Sequence, residues 1–303
     1  MRASLRAARR DARIMQLAVR PAAPDDGTWL VGQLEAAHRG GYSPTFDRDG
    51  PLQPTDIWWG QSEKDVNVIE MDKRPAGVLV VGRGGQWLVE EVVLNGFGEA
   101  PARTQASLVD RVNAHLIQVF QRGRQNALLL RVAETNAFGL ALAAGAQAGF
   151  ANALLVYRHH GPKRAVPHAP GGYHLRKVTP ADAREVARLV REVVPERARA
   201  DEVSRVLTAR DGRGFLAFKD AILAGFAAVE VKAGRGDWTV AVRESHRRRG
   251  VGRALGASVL AALRTRGMAP YATTWALDPV AGPFLSSLGF TVERTFLYLE
   301  KPL

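Results

Sequence analysis

The most informative stretch of the chain is WTVAVRESHRRRGVGRALGASVLAALRTR, residues 238–266. It opens as a strand through Val242, turns through Arg247-Arg248-Arg249-Gly250-Val251-Gly252, and continues as a helix. Leu255, Val259 and Leu263 recur every four residues and give that helix one apolar stripe to bury. Gly267 is placed to end it. The two loop glycines permit a tight turn and close backbone approach. The free amides of a helix N-terminus point outward at the same place, with the positive end of the dipole behind them. Between Arg243 and Arg266 there are seven arginines and one carboxylate, Glu244. Together these features make a cradle for an anion of pyrophosphate size. The spacing is not GxxxxGK[ST], and the turn does not follow the first strand of a parallel sheet as a GxGxxG fingerprint does.

Outward from this stretch the pattern is regular. Strands are expected near 214–219, 222–232 and 236–243 before the loop. After the helix at 251–266 come a strand near 270–276, a helix near 279–287, then Leu288-Gly289-Phe290 and a last strand. The first half of the chain repeats the plan, with strands near 66–71, 76–82 and 87–94, a helix near 103–121 and a strand near 127–133. The openings of the two copies match: Arg20 with Arg176, Pro24 with Pro180, Asp26 with Asp182. Proline and aspartate suit a first helical turn, one by its fixed φ and the other by the helix dipole. The ends also look alike, Ala148-Gly149-Phe150 resembling Leu288-Gly289-Phe290. Strands joined by short turns indicate an antiparallel part, and the strand–helix–strand end indicates a parallel crossover. The expected fold class is therefore α/β, a mixed and mostly antiparallel sheet flanked by helices, built twice. The expected division is a basic tail at 1–14, a first domain at 15–160, a Pro- and Gly-rich linker at 161–172 and a second domain at 173–303.

The run V-x-x-x-x-R-x-x-G-x-G, Val242 through Gly252, between a strand and a helix resembles the acyl-CoA loop of the GNAT N-acetyltransferase superfamily. The Pro-x-Asp openings and the Leu288-Gly289-Phe290 end are similar to that family as well. The resemblance covers 173–303 well and 15–160 in outline, so it implies tandem GNAT domains. It implies that backbone groups of Val240, Ala241 and Val242 bind the pantetheine arm of acetyl-CoA. It implies that Arg247, Arg248, Arg249, Gly250, Val251, Gly252 and Arg253 hold the pyrophosphate. The chemistry implied is direct attack of an amine on the thioester, with a base or water chain taking the ammonium proton and a backbone N–H near Val242 polarising the carbonyl. A carboxylate placed at Gly252 is expected to repel the cofactor.

The family often has an Asn early in the last helix and a Tyr seven residues later, which protonates the leaving thiolate. Those positions hold Asp278, which the resemblance places with the cofactor-binding residues, and Leu285 here. Leucine donates no proton, so Tyr271, Tyr298, Ser286 or water must substitute, or no acid is used. Glu230 is the first candidate for the base; as a strand carboxylate it also fits a solvent-facing role. Asp237 and Glu244 read as turn or rim charges, and His246 as a neighbour of phosphate. In the first copy the matching loop is Gly98-Glu99-Ala100-Pro101-Ala102-Arg103, where proline lacks an N–H and an acid replaces the arginines. That copy is expected to be degenerate.

Composition bounds the alternatives. The chain has 303 residues, which at roughly 150 residues per domain suits two domains. Its net charge of +12 points to an anionic partner. Nucleic acid is disfavoured, because no aromatic-interleaved basic surface or helix-turn-helix pattern is present. Without cysteine there are no disulfides, Cys-ligated metals or Cys nucleophiles, which suits a cytoplasmic protein. Thr135–Tyr157 carries no charge over a membrane-spanning length, but its Ala, Gly and Asn content reads as a helix followed by a strand. His159, His160, His168 and His174 straddle the linker without acids and read as a fortuitous cluster, so no metal is expected. Trp58-Trp59 suits core or interface packing, with a substrate groove as the other reading. The expected activity is acetyl transfer to a primary amine, a small molecule before a protein. The alternatives are a non-catalytic acyl-CoA-binding module and a tRNA-dependent aminoacyl transferase. The expected state is a monomer acting as its own pseudo-dimer, or a homodimer.

Overall fold

The computed structural model describes residues 16–41, 64–160, 169–193, 213–232, 235–264 and 270–303; the side chains of Arg213, Glu230–Lys232 and Arg235–Trp238 lie outside the description. The tail at 1–14, Trp58-Trp59, His168 and Gly267 also lie outside the described residues. The described chain divides into two compact units, one ending at Asn152 but including Phe296–Leu303, the other running Ala153–Thr295.

In the first unit β1 (Leu17–Pro21), β2 (Lys64–Met71), β3 (Arg74–Gly82) and β4 (Leu88–Leu94) form an antiparallel meander. β4 runs parallel to β5 (Ala127–Ala133). Helix α1 (Gly27–Arg39) covers one face and α2 (Ala102–Arg122) and α3 (Ala137–Ala146) the other. The period of two along β3 explains both cores. Val78 and Val80 pack on Leu30 and Leu34 of α1, while Leu79 and Val81 join Leu116 and Phe120 of α2. β6 (Gly149–His159) follows α3, so the uncharged stretch at 135–157 is a short helix and a strand. Among the described residues no helix is long and apolar enough to cross a membrane.

The second unit repeats the plan. β7 (His174–Lys177), β8 (Arg213–Lys219), β9 (Ile222–Lys232) and β10 (Arg235–Val242) are antiparallel neighbours. Helix α4 (Ala183–Val193) packs Val186 and Leu189 on Phe226 and Ala228 of β9. The opposite face of β9, Ala227 and Val229, meets Leu255, Val259 and Leu263 of α5 (Val251–Arg264), the stripe read from the sequence, together with Val251. β11 (Tyr271–Trp275), α6 (Ala281–Ser287) and β12 (Phe290–Pro302) complete the chain.

The last strands are exchanged. β6 ends the first copy, yet its Leu154–Arg158 pair with β11 of the second unit. β12 ends the second copy, yet its Phe296–Pro302 pair with β5 of the first. The repeat therefore differs in register from the sequence match at its ends. Asn136 is the N-cap of α3 and accepts from Gly139, and Asp278 accepts from Val280 and Ala281 in the turn just ahead of α6. The left-handed residue after each helix is Gln147 (φ 58°) in one copy and Gly289 (φ 89°) in the other. The counterpart of Gly289 is thus Gln147 and not Gly149. Phe150 is accordingly 58% exposed where Phe290 is 2%.

Candidate functional site

The site is built on the edge of β10. Arg243 donates its backbone N–H to Ala224 of β9 (3.0 Å), so alternation turns the N–H and C=O of Ala241 toward β9 as well. The same groups of Val240 and Val242 point the other way. β10 ends its sheet on that side, and the neighbouring strand β11 pairs with β6 instead. Of the three residues named from the sequence, two therefore present backbone groups at the open edge. Arg247 donates from Nε to the carbonyl of Val242 (3.0 Å), which fixes the loop against that edge.

The loop then makes one tight turn. Glu244–His246 form a single 3-10 turn, and Arg248 and Gly250 adopt positive φ of 60° and 82°. A Cβ at Gly250 would lie 3.3 Å from Pro170, so conformation and space both call for glycine. Ala254 donates to Gly250 in the first helical bond, leaving the N–H groups of Val251, Gly252 and Arg253 ahead of it. Arg247, Arg248, Arg249 and Arg253 are exposed around this helix start. The Cβ position of Gly252 faces the Phe284 ring at 3.4 Å, so a carboxylate there would enter apolar packing.

Electrostatics support an anion site. The Tyr173 hydroxyl is hydrogen-bonded to Nδ1 of His246 at 2.9 Å. Partial burial, then the cations Arg249, Lys219 and Arg243, push that imidazole below its ordinary value. Three cations crowding one imidazole make the local potential positive. Arg243 is itself tied to Glu192 (3.1 Å) and to the Leu223 carbonyl (2.8 Å), so it braces the loop.

The remaining named residues are more dispersed. Glu230 sits opposite Asp237 in the β9–β10 register, and both side chains lie outside the described residues. Glu244 is exposed in the loop turn. Asp278 accepts from the N–H groups of Val280 (2.8 Å) and Ala281 (2.9 Å), in the turn just ahead of α6. Leu285 is buried on α6. Tyr271 lies opposite Arg158 in the register, with that guanidinium 5.3 Å from its ring centre. Tyr298 belongs to the first unit, opposite Arg131 on β5. His159 is occupied in the fold, its Nε2 donating to the Leu288 carbonyl (3.0 Å) and its Nδ1 accepting from Arg264 (2.6 Å). Among the described residues no group of three or more His, Asp or Glu could hold a metal ion.

The equivalent edge in the first unit is used by the protein itself. The backbone of Asn95 donates to Ala76 of β3, as Arg243 does to β9, so Val92 is the counterpart of Val240. Its outward carbonyl accepts from the Asn136 side chain at 2.7 Å. Pro101 caps α2 without a side-chain bond, and Phe97 is buried against Phe138, their ring centres 4.8 Å apart. The sequence reading noted the proline but missed Asn136, which only its contact across to β4 reveals.

Comparison with known proteins places this geometry. Residues 210–292 match the family model described as Acetyltransferase (GNAT) domain. A GCN5-related N-acetyltransferase from Sphaerobacter thermophilus superposes with a TM-score of 0.68 at 17% identity, covering 94% of this chain and 95% of that one. A tandem GNAT protein from the clavulanic acid biosynthesis pathway gives 0.61 at 20% identity, covering 95% and 98%. A GNAT-family acetyltransferase from Colwellia psychrerythraea gives 0.60 at 12% identity, covering 94% and 99%. At these identities the likeness is one of fold, and it is the tandem GNAT fold. No curated protein matches the chain in sequence.

Proposed function

We propose that this chain, with a GNAT domain in its second half, is an acetyl-CoA-dependent N-acetyltransferase working from its second unit. The observation that carries the reading is the meeting of the open β10 edge with the arginine-rich start of α5. The N–H groups of Val251, Gly252 and Arg253 and the exposed arginines suit a pyrophosphate. The outward N–H and C=O of Val240 suit an amide of a pantetheine arm, while the Val242 carbonyl is held by Arg247. When bound, acetyl-CoA supplies the activated acyl group; the protein's part is to orient it and stabilise charge. The Val242 N–H is placed to polarise the thioester carbonyl, and Glu230 is the first candidate to take the amine proton. The acceptor is a primary amine, a small molecule before a protein, in a cytoplasmic setting consistent with the absence of cysteine. The first unit is a degenerate copy, as the Asn136 bond to Val92 supports.

An acyl-CoA-binding module without turnover is the second reading, favoured by Leu285 at the usual acid position. Calorimetric titration of acetyl-CoA followed by an amine panel separates them. One site per chain with CoA release on some amine supports the transferase. One site without turnover on any amine supports the binding module. No binding overturns both.

A further inference from the structure

Direct acyl transfer leaves a thiolate, and Leu285 offers it no proton. The structure brings a hydroxyl to the same helix face from the far end of the first copy. Tyr157 lies on the exchanged strand β6, directly opposite Ala272 of β11. It is 5% exposed and belongs to one apolar cluster with Ala272, Leu285, Phe290, Val251 and Leu255. Its hydroxyl oxygen is 3.1 Å from where a Cβ of residue 282 would stand. Gly282 and Leu285 are three residues apart on α6 and share a face. The hydroxyl therefore stands on the leucine's side of the helix, one turn nearer its start, and a glycine there makes room for it. The same cluster reaches the working edge: Val240, Val242 and Phe284 pack against it. Among the described residues no hydrogen bond engages the Tyr157 hydroxyl. Tyr271 adjoins Ala272 in sequence, so its side chain leaves β11 on the opposite face, and Tyr298 belongs to the other unit.

We propose that Tyr157 donates the proton to the departing sulfur, a role that rests on the acyl-transfer reading above. The amine nitrogen bonds to the acyl carbon as the C–S bond breaks, and the bonding pair passes to sulfur. Tyr157 gives its hydroxyl proton to that sulfur and is reprotonated from solvent. The surplus ammonium proton leaves through the base or water chain. The acid of this site is thus supplied by the first copy to the second, by strand exchange and not by α6.

The test uses CoA itself, so no acceptor is needed. The full-length protein and Tyr157→Phe are saturated with CoA, and the ultraviolet absorbance of the bound thiolate is followed against pH. A hydroxyl donating to sulfur favours the thiolate, so its removal is expected to raise the thiol midpoint by about one pH unit, a tenfold change in the thiolate ratio. CoA affinity by calorimetry should change less than about threefold, since one neutral contact is lost. Gly282→Ala, which pushes the hydroxyl aside without removing it, should shift the midpoint the same way and carries the test if the phenylalanine variant does not fold. An unchanged midpoint in a folded variant that still binds CoA overturns the role of Tyr157 alone. Failure of the unaltered protein to bind CoA overturns the acyl-transfer reading and this role with it.

Discussion

At the scale of single residues, the repeat is an electrostatic device used twice. Arg20 grips Asp26 with two bonds of 2.6 and 2.9 Å, and Arg176 grips Asp182 with two of 2.8 and 2.6 Å. Each aspartate also accepts the backbone N–H three residues before it, at 2.7 Å. The Arg176 guanidinium, aided by the Thr179 hydroxyl and N–H, holds the Asp182 carboxyl well below its usual range although burial opposes this. A carboxyl depressed in the folded state leaves the unfolded chain binding more protons in acid. Its stabilisation is therefore present above the usual aspartate value of 3.8 and is lost as pH falls below it. Asp182→Asn is expected to cost about 1–2 kcal/mol at neutral pH, discounted because Arg176 is 41% exposed. Urea unfolding at a series of pH values checks both parts: the variant should lose stability at pH 7 and show a shallower acid decline. The matched Arg, Pro and Asp were visible in the sequence. That each Arg would close back on its Asp was not, since strand and helix come together only in the fold.

At the scale of elements, the glycines around α5 do three different jobs. Gly250 holds a left-handed turn, Gly252 makes an ordinary contact with Phe284, and Gly256 lets α6 lie close. A Cβ at Gly256 would come within 2.6 Å of a Leu288 methyl, whereas one at Gly252 would sit 3.4 Å from Phe284. Gly256→Ala is expected to lower the thermal midpoint by several degrees, consistent with overpacking of about 1–3 kcal/mol. Gly252→Ala should leave that midpoint nearly unchanged. Gly250→Ala forces a left-handed alanine, costing about 1–2 kcal/mol, so acetyl-CoA should bind about tenfold or more weakly with a smaller effect on melting. Equal affinity in a folded Gly250→Ala protein would count against the loop as the anion site. The sequence showed that glycines stood here; their separate tasks depended on which atoms lay opposite.

At the scale of the whole chain, the exchanged strands decide what can be cut. Residues 173–303 were expected to form a domain, but without Leu154–Arg158 strand β11 has no partner, and Tyr157 and His159 are lost from the second unit. In the same fragment Phe296–Pro302 would be left without β5. Expressed alone, 173–303 is expected to aggregate or melt without a cooperative transition, and to bind no acetyl-CoA, where the full chain does. Circular dichroism melting and calorimetry on both proteins would show it. Asn136→Ala in the full chain should leave the acetyl-CoA stoichiometry at one, because proline and an acid still stand where the second unit has N–H groups and arginines.

Helix periods, strand alternation, turn residues and a run of arginines beside glycines are local signals, carried by neighbours along the chain. They were enough to give the element order, the doubled α/β plan and the loop at Arg247–Gly252. The hairpin turns at Asp72-Lys73 and Asp220-Ala221 fall in the gaps expected between strands, but their positive φ without glycine is a feature the sequence does not display. Three further features came only with the folded chain: the crossing of β6 and β12, the closure of the Val92 edge by Asn136, and the placing of the Tyr157 hydroxyl on the face of Leu285. Each joins residues far apart in sequence through a backbone register or a gap left by a missing Cβ. Such pairings depend on which surfaces meet, and no stretch of one chain encodes that by its own pattern.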